Sequence, residues 1–221
     1  MGSAQTQGRL WSQAVRDWVE VCEPMSEPLH EATLAALAPL SGLALLDVGC
    51  GSGSVLSTAA RHGAHVSGLD AATAMIAVAR DRMPDADLHV GDMEEMPFAD
   101  ATFDVVTAFN AVQFADAPPV ALDEMVRVTR PGGRVAILEF SRPRNRLFGR
   151  LYSFYFRHVL PRVGQWCSRS PDSAYHYLPA SVLAFPDYEE LLRRMEAHGL
   201  ADTRYYPFTF GIATLYVGVK K

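Results

Sequence analysis

The chain has 221 residues, a formal net charge of −5, 49% apolar residues and 20% charged ones. That length and balance suit a single globular domain with a sizeable core, and the charge gives no global pull toward nucleic acid. Three cysteines (Cys22, Cys50 and Cys167), odd in number and widely spaced, argue against a disulfide scaffold or a zinc site, so no metal is expected. Met1 to Leu10 is polar and lacks the apolar stretch of a signal peptide. No run approaches the roughly 20 apolar residues of a membrane span. The expected compartment is therefore the cytoplasm.

In chain order, Arg9 to Val21 and Pro28 to Leu40 read as two helices separated by Glu23-Pro24 and Glu27-Pro28. Trp11 and Trp18, seven apart, share one helix face, which reads as core packing in preference to contact with a bound ligand. There follow a strand at 43–48, a helix at 54–62, strands at 65–69 and 87–90 around a helix at 71–82, and a strand at 103–109. A helix at 118–129 and a strand at 134–140 complete the alternation. This order indicates an α/β fold with a mostly parallel sheet and helices on both faces. Thr203 to Phe210 and Ile212 to Val219 flank Gly211 and read as an antiparallel edge hairpin, which makes seven strands.

The most informative stretch is Leu45-Leu46-Asp47-Val48-Gly49-Cys50-Gly51-Ser52-Gly53. Alternating glycines let the backbone turn tightly and approach a ligand with no Cβ in the way. The helix opened by Ser54 points its free N–H groups at the same spot. Asp70, at the tip of the next strand, is placed to accept hydrogen bonds from ribose hydroxyls. It also suits the N-cap of the following helix, and the two roles can coexist. The third glycine comes one residue early for a dinucleotide fingerprint, and no lysine precedes Lys220 to complete a phosphate loop. Asp47 ahead of the glycines repels phosphate and attracts a cationic amino group, or holds the loop by accepting its N–H bonds. A nucleoside with a positive amino-acid tail fits, which is S-adenosylmethionine. Cys50 reads as a small loop filler, with no neighbouring base to activate a thiolate.

On these residues the chain resembles the class I S-adenosylmethionine-dependent methyltransferases, with their Rossmann-like fold. Later motifs agree in order and spacing: Gly91-Asp92-Met93 after the third strand, Phe103 to Phe109 followed by Asn110, and Arg130-Pro131-Gly132-Gly133 before the fifth. The resemblance implies that Asp92 and the Met93 backbone recognise the adenine edge. Ala71, Met75 and Asn110 join Asp47, Gly49, Cys50, Gly51, Gly53 and Asp70 around the cofactor.

Residues 141 to 185 belong to no core strand and are the natural place for substrate recognition. Between Glu139 and Asp172 stand seven arginines and no acidic residue, interleaved with aromatics. A helix from about Arg146 to Leu160 could rest on an anionic membrane surface or serve as a lid over the pocket; both readings stand. No nucleic-acid reader motif accompanies the arginines. Here Glu139-Phe140-Ser141-x-Pro143, Tyr152-x-x-Tyr155, Leu160-Pro161-x-Val163-Gly164, Tyr175-x-Tyr177-Leu178 and Phe208-x-x-Gly211-Ile212 look like the quinone C-methyltransferases of the UbiE type. Two features depart from that family. Its N-terminal Tyr-Asp-x-Met-Asn signature is missing, and Gln113-Phe114 stand where it carries Arg-Asn. The first half is closer to generic small-molecule methyltransferases.

The resemblance implies one domain over 1–221: N-terminal helices at 9–40 over the cofactor, a cofactor core at 41–140, a substrate segment at 141–185, and a last helix and hairpin at 186–221. It implies C-methylation of an aromatic, quinol-like or enolisable small molecule. An O- or N-methyltransferase of a natural product, and a cofactor-binding fold that cyclises or binds without methylating, remain the alternatives. Candidate catalytic groups are His158 and His176, which could polarise an acceptor hydroxyl, and Arg142, which could hold its oxygen. Candidate acceptor contacts are Gln113, Phe114, Tyr152, Tyr155, Tyr175 and Tyr177. The expected partners are a small-molecule acceptor, the inner face of the membrane through 142–169, and a second copy of the chain.

Overall fold

The computed structural model describes residues 4–154 and 185–221. Seven strands form one sheet: β1 (Ala44–Val48), β2 (His65–Asp70), β3 (Asp87–Val90), β4 (Phe103–Phe109), β5 (Thr129–Phe140), β6 (Leu200–Phe208) and β7 (Ala213–Lys220). Their order is β3-β2-β1-β4-β5-β7-β6. β1 to β5 pair in parallel, and β7 runs antiparallel between β5 and β6. The expected mostly parallel α/β sheet with an antiparallel edge is therefore present. Among the described residues the helices are α1 (Ala4–Gln13), α2 (Val15–Asp17), α3 (Glu23–Ala36), α4 (Ser54–Arg61), α5 (Thr73–Arg82), α6 (Pro118–Val128), α7 (Arg146–Phe154) and α8 (Glu189–Ala197).

The central strands are apolar on both faces because both faces are covered. On one face Leu45, Val105, Ala136, Leu138 and Leu215 pack against Leu34 of α3, Val55 and Leu56 of α4, and Ile76 of α5. On the other, Leu46, Val106, Val135 and Ile137 pack against Leu122 and Met125 of α6 and Met195 of α8. Strand order reverses between β1 and β4, so the crevice at their carboxyl ends is where such sheets bind ligands.

Two local readings need correction. The N-terminal region does not break at its prolines: the chain is helical from Ala4 to Ala36, interrupted only at Ala14. Pro24 sits in the first turn of α3, where its missing N–H needed no partner. Ahead of it, Trp18–Cys22 form a π turn in which the Glu23 N–H reaches back to the Trp18 carbonyl. Pro28 removes one helical hydrogen bond, yet α3 continues because His30, Thr33 and Leu34 are buried. β5 begins at Thr129 rather than 134. Arg130 to Gly133 form an irregularity within the strand, with Gly132 at φ +76°.

Candidate active site

The glycine loop is held by the end of β2. The N–H groups of Gly49 and Cys50 both donate to the Leu69 carbonyl, at 2.7 and 3.0 Å. The Gly51 N–H donates to Asp70 Oδ2 at 2.8 Å, and the Ala72 N–H to Asp70 Oδ1 at 2.7 Å. Asp70 thus ties the loop to the start of α5, while burial holds its pKa above the usual carboxylate range. Gly49 has φ +74°, and a Cβ there would lie 2.4 Å from that of Ala111. The loop is pinched between the ends of β2 and β4, which only glycine permits. Gly53 precedes α4 and packs on Ala79 of α5 and on Met83 just after it.

Asp47 does not hold the loop, contrary to one of its two readings. It is buried and takes the Thr107 hydroxyl at 2.6 Å, its in-register neighbour on β4. Burial pushes its pKa up to about 7, against the Thr107 hydrogen bond and with the Asp70 charge adding. The Cys50 thiol is also pushed up, by burial first and then by the Asp70 and Asp47 charges. It stays protonated, as a packing group.

Four strand ends open onto one cleft of ≈ 700 Å³, open solvent at its mouth included. Across it in sheet order come Gly91, Asp92 and Met93 after β3, then Leu69, Asp70, Ala71 and Met75 around the end of β2. Gly49 and Gly51 after β1 follow, and Phe109, Asn110, Ala111 and Phe114 at β4 close the row. Adjacent strands lie about 4.8 Å apart, so three spacings make a row of about 14 Å. Asp92 accepts the Glu94 N–H at 3.0 Å through Oδ1. Asn110 has φ +52°, and its Oδ1 is buried with no hydrogen-bond partner. Among the described lining residues the only ionisable side chains are Asp70 and Asp92, and none is cationic. Such a wall repels phosphate and accepts a cation.

The fourth side of the cleft is closed by Ala4, Gln7, Trp11 and Trp18. The two tryptophans are half-buried and meet edge to face at 5.5 Å, so they wall the cleft rather than pack in the core. Sequence spacing fixed their common face but not what it meets. α1 lies so close to the start of α5 that a Cβ on Gly8 would come 2.4 Å from the Ala71 carbonyl oxygen. Glu23 fastens the same segment, accepting from Ser52 of the glycine loop at 2.6 Å and from Arg82 at 2.5 Å.

Several sequence candidates lie elsewhere. Gln113 is buried behind the wall, its N–H directed at Glu139 Oε1 at 3.3 Å. Arg142 is not on the cleft: its exposed guanidinium pairs with Asp187 just before α8, at 2.9 and 3.2 Å. Tyr152 lies on α7 and does not line the cleft. Tyr155, His158, Tyr175, His176 and Tyr177 lie outside the described residues. Sequence reasoning missed Glu139 as a structural group. It is buried at the end of β5, where it also accepts the Ala111 N–H at 3.1 Å and anchors the turn Val112–Phe114.

Residues 27–220 match the ubiE/COQ5 methyltransferase family. The chain is 42% identical over 185 residues to the ubiquinone/menaquinone biosynthesis C-methyltransferase UbiE of Geobacter sulfurreducens, covering 80% of this chain and 72% of that protein. It is also 42% identical over 184 residues to the demethylmenaquinone methyltransferase of Deinococcus radiodurans, covering 80% and 75%. In fold it is similar to a SAM-dependent methyltransferase from Thermotoga maritima, with a TM-score of 0.71 at 18% identity, covering 96% and 99%.

Burial pushes the Glu139 pKa up to about 8, outweighing the N–H donors that lower it. Between pH 6.5 and 8 the folded chain therefore keeps a proton that the unfolded chain has released, and stability falls as pH rises through this window. His30, pushed down to about 4 by burial, acts in the opposite sense and fades within about one unit above its ordinary 6.5, and Asp47 adds to the fall below about pH 7. Thermal melts should give a lower midpoint at pH 8 than at pH 6.5, with most of the difference removed in Glu139→Gln. An unchanged slope in that variant would contradict the assignment.

Proposed function

The chain belongs to the ubiE/COQ5 methyltransferase family, as an S-adenosylmethionine-dependent methyltransferase, and on that premise we propose that it methylates a ring carbon of a quinol-like acceptor. The observation that carries the cofactor placement is the row of strand ends Asp92, Asp70, Gly49/Gly51 and Asn110 along one cleft with no cation among its described lining residues. Asp92 and the Met93 backbone are assigned to adenine. Asp70 is assigned to the ribose, since each of its oxygens accepts one N–H in the structure and keeps a further lone pair. The bare backbone at Gly49 and Gly51 leaves room for the amino-acid end, and the orphaned Asn110 Oδ1 is an acceptor for its ammonium. Burial keeps Asp47 largely protonated up to about pH 7, so its part is to hold Thr107 and the end of β1.

Bound S-adenosylmethionine supplies a methyl already activated by its sulfonium. The residues of this chain therefore serve mainly to position and exclude water. The tryptophan-bearing segment covers the cofactor, and the turn anchored by Glu139 sets Phe114 at the mouth toward the acceptor. A ring carbon becomes nucleophilic when its hydroxyl is polarised or deprotonated, a contribution of about 10²–10⁴-fold. His158 and His176 of the segment after α7 remain the proposed groups. Arg142 is left out, because its charge is engaged by Asp187. The C-methyl reading is preferred to O- or N-transfer on the name of the Geobacter sulfurreducens C-methyltransferase, 42% identical to this chain.

Incubation with S-adenosylmethionine and a demethylated naphthoquinol should yield a product heavier by one methyl, placed on ring carbon by NMR. Asp70→Ala should raise the cofactor KM at least tenfold. An O-methyl product, or a variant with wild-type KM, would contradict the reading.

Leu147, Phe154 and Phe210 are exposed apolar side chains near the arginine-rich stretch, which supports contact with an anionic membrane surface. Arg142 and Arg144 are less available to it, being paired with Asp187 and Glu189. Sedimentation should recover the chain with vesicles containing phosphatidylglycerol and leave it in the supernatant with neutral ones; equal partition would reject the contact.

A further inference from the structure

Three aromatic rings form one connected group on the cleft wall. Trp11 stands 5.5 Å from Trp18 at 85° and 5.5 Å from Phe114 at 68°, edge to face with both. The two indoles come from the helical segment ahead of residue 27, where the family match begins, so they are outside what the match accounts for. Phe114 comes from the turn that Glu139 anchors. The group joins the N-terminal helical segment to the turn after β4.

Its place along the cleft is set by the glycine loop. A Cβ on Gly51 would lie 3.8 Å from Trp18 Nε1, and Gly49 touches Ala111, three residues before Phe114. The rings therefore stand at the β1–β4 end of the row, two and three strand spacings from Asp92 after β3. Of the two carboxylates on the wall, Asp92 belongs to the opposite end, at β3, while Asp70 reaches the loop, its Oδ2 accepting the Gly51 N–H at 2.8 Å. Asp47, beneath the loop, is 1% exposed and does not line the cleft. Toward β4 a positive charge meets π systems and one amide oxygen, Asn110 Oδ1, with the Asp70 carboxylate on its β2 side. Aromatic faces attract such a charge through the ring quadrupole.

We propose that Trp11, Trp18 and Phe114 form a charge-reading wall that favours the sulfonium of S-adenosylmethionine over the neutral thioether left once its methyl has been transferred. This rests on the cofactor placement proposed above, which puts the amino-acid end of the cofactor at β1–β4. The two compounds differ by one methyl and one positive charge, so a wall that only packs holds them alike. A wall that reads charge holds the donor and releases the product.

The test is calorimetric titration of the full chain with S-adenosylmethionine, with S-adenosylhomocysteine, and with an analogue bearing an ammonium in place of the sulfonium methyl. Trp18→Leu and Phe114→Leu should each weaken both cationic ligands about five- to thirtyfold, the range for a desolvated cation–π contact. S-adenosylhomocysteine should change less than about threefold. Each preference is a ratio within one variant, so it is insensitive to the fraction folded. If Trp18→Leu does not fold, Phe114→Leu reads the same wall from a different element. Equal weakening of all three ligands in the aromatic variants would show that the rings merely pack, and would overturn the proposal. Asp70→Ala should weaken all three. Wild-type affinity in that variant, or no binding by the wild type, would instead remove the cofactor placement and the proposal with it.

Discussion

The donation of the Gly51 N–H to the Asp70 carboxylate is the contact on which the site depends. It joins two parallel strands by their tips, and with the two N–H bonds to the Leu69 carbonyl it sets the path of the glycine loop. A half-buried carboxylate at a strand end is costly unless hydrogen-bonded. Asp70 meets that cost with backbone donors of the loop and of the next helix. The same two bonds that stabilise the charge give the cleft its floor. Gly49 then has to lie against Ala111, which brings the turn after β4 within reach of the loop.

Around that floor the chain arranges a cover that is fastened, not merely laid over. The π turn at Trp18–Cys22 changes the helical phase just before Pro24, and Trp18 faces Gly51. One turn on, Glu23 reaches Ser52 of the loop and Arg82 at the end of α5. The side chains of Glu23 and Arg82 are 14% and 30% exposed, so the pair is partly shielded from the screening that weakens surface ion pairs. On the opposite side Glu139 performs a similar task for the turn carrying Phe114, collecting N–H donors that no strand pairs. Two buried or half-buried carboxylates, one on each flank, thus set the rings that close the cleft.

The sheet was legible in the sequence because doubly covered parallel strands must be apolar on both faces, and Leu45 to Val48 and Phe103 to Phe109 are. The cofactor end was legible because positive φ at Gly49, Gly51 and Gly53 restricts residue type, and because the spacing to Asp70 follows from one helix and one strand. What was not legible depended on partners distant in sequence. A seven-residue spacing gave Trp11 and Trp18 one face without saying that it met a cleft. Glu139 reads as a lone acid in an apolar strand, since the N–H groups it collects lie 26 and 28 residues away and have no side-chain signature. Arg142 looked available because Asp187, which engages it, is 45 residues distant. Pro28 looked like a helix boundary by local rule, and burial of His30, Thr33 and Leu34 overrode the rule.

The most direct measurement is a crystal structure of the chain with S-adenosylhomocysteine bound. The account requires the ribose hydroxyls within hydrogen-bond distance of the Asp70 carboxylate, the adenine edge at Asp92 and Met93, and the thioether beside the tryptophans and Phe114. A nucleoside bound with its ribose away from Asp70, or reversed so that adenine lies against the aromatic wall, would contradict it.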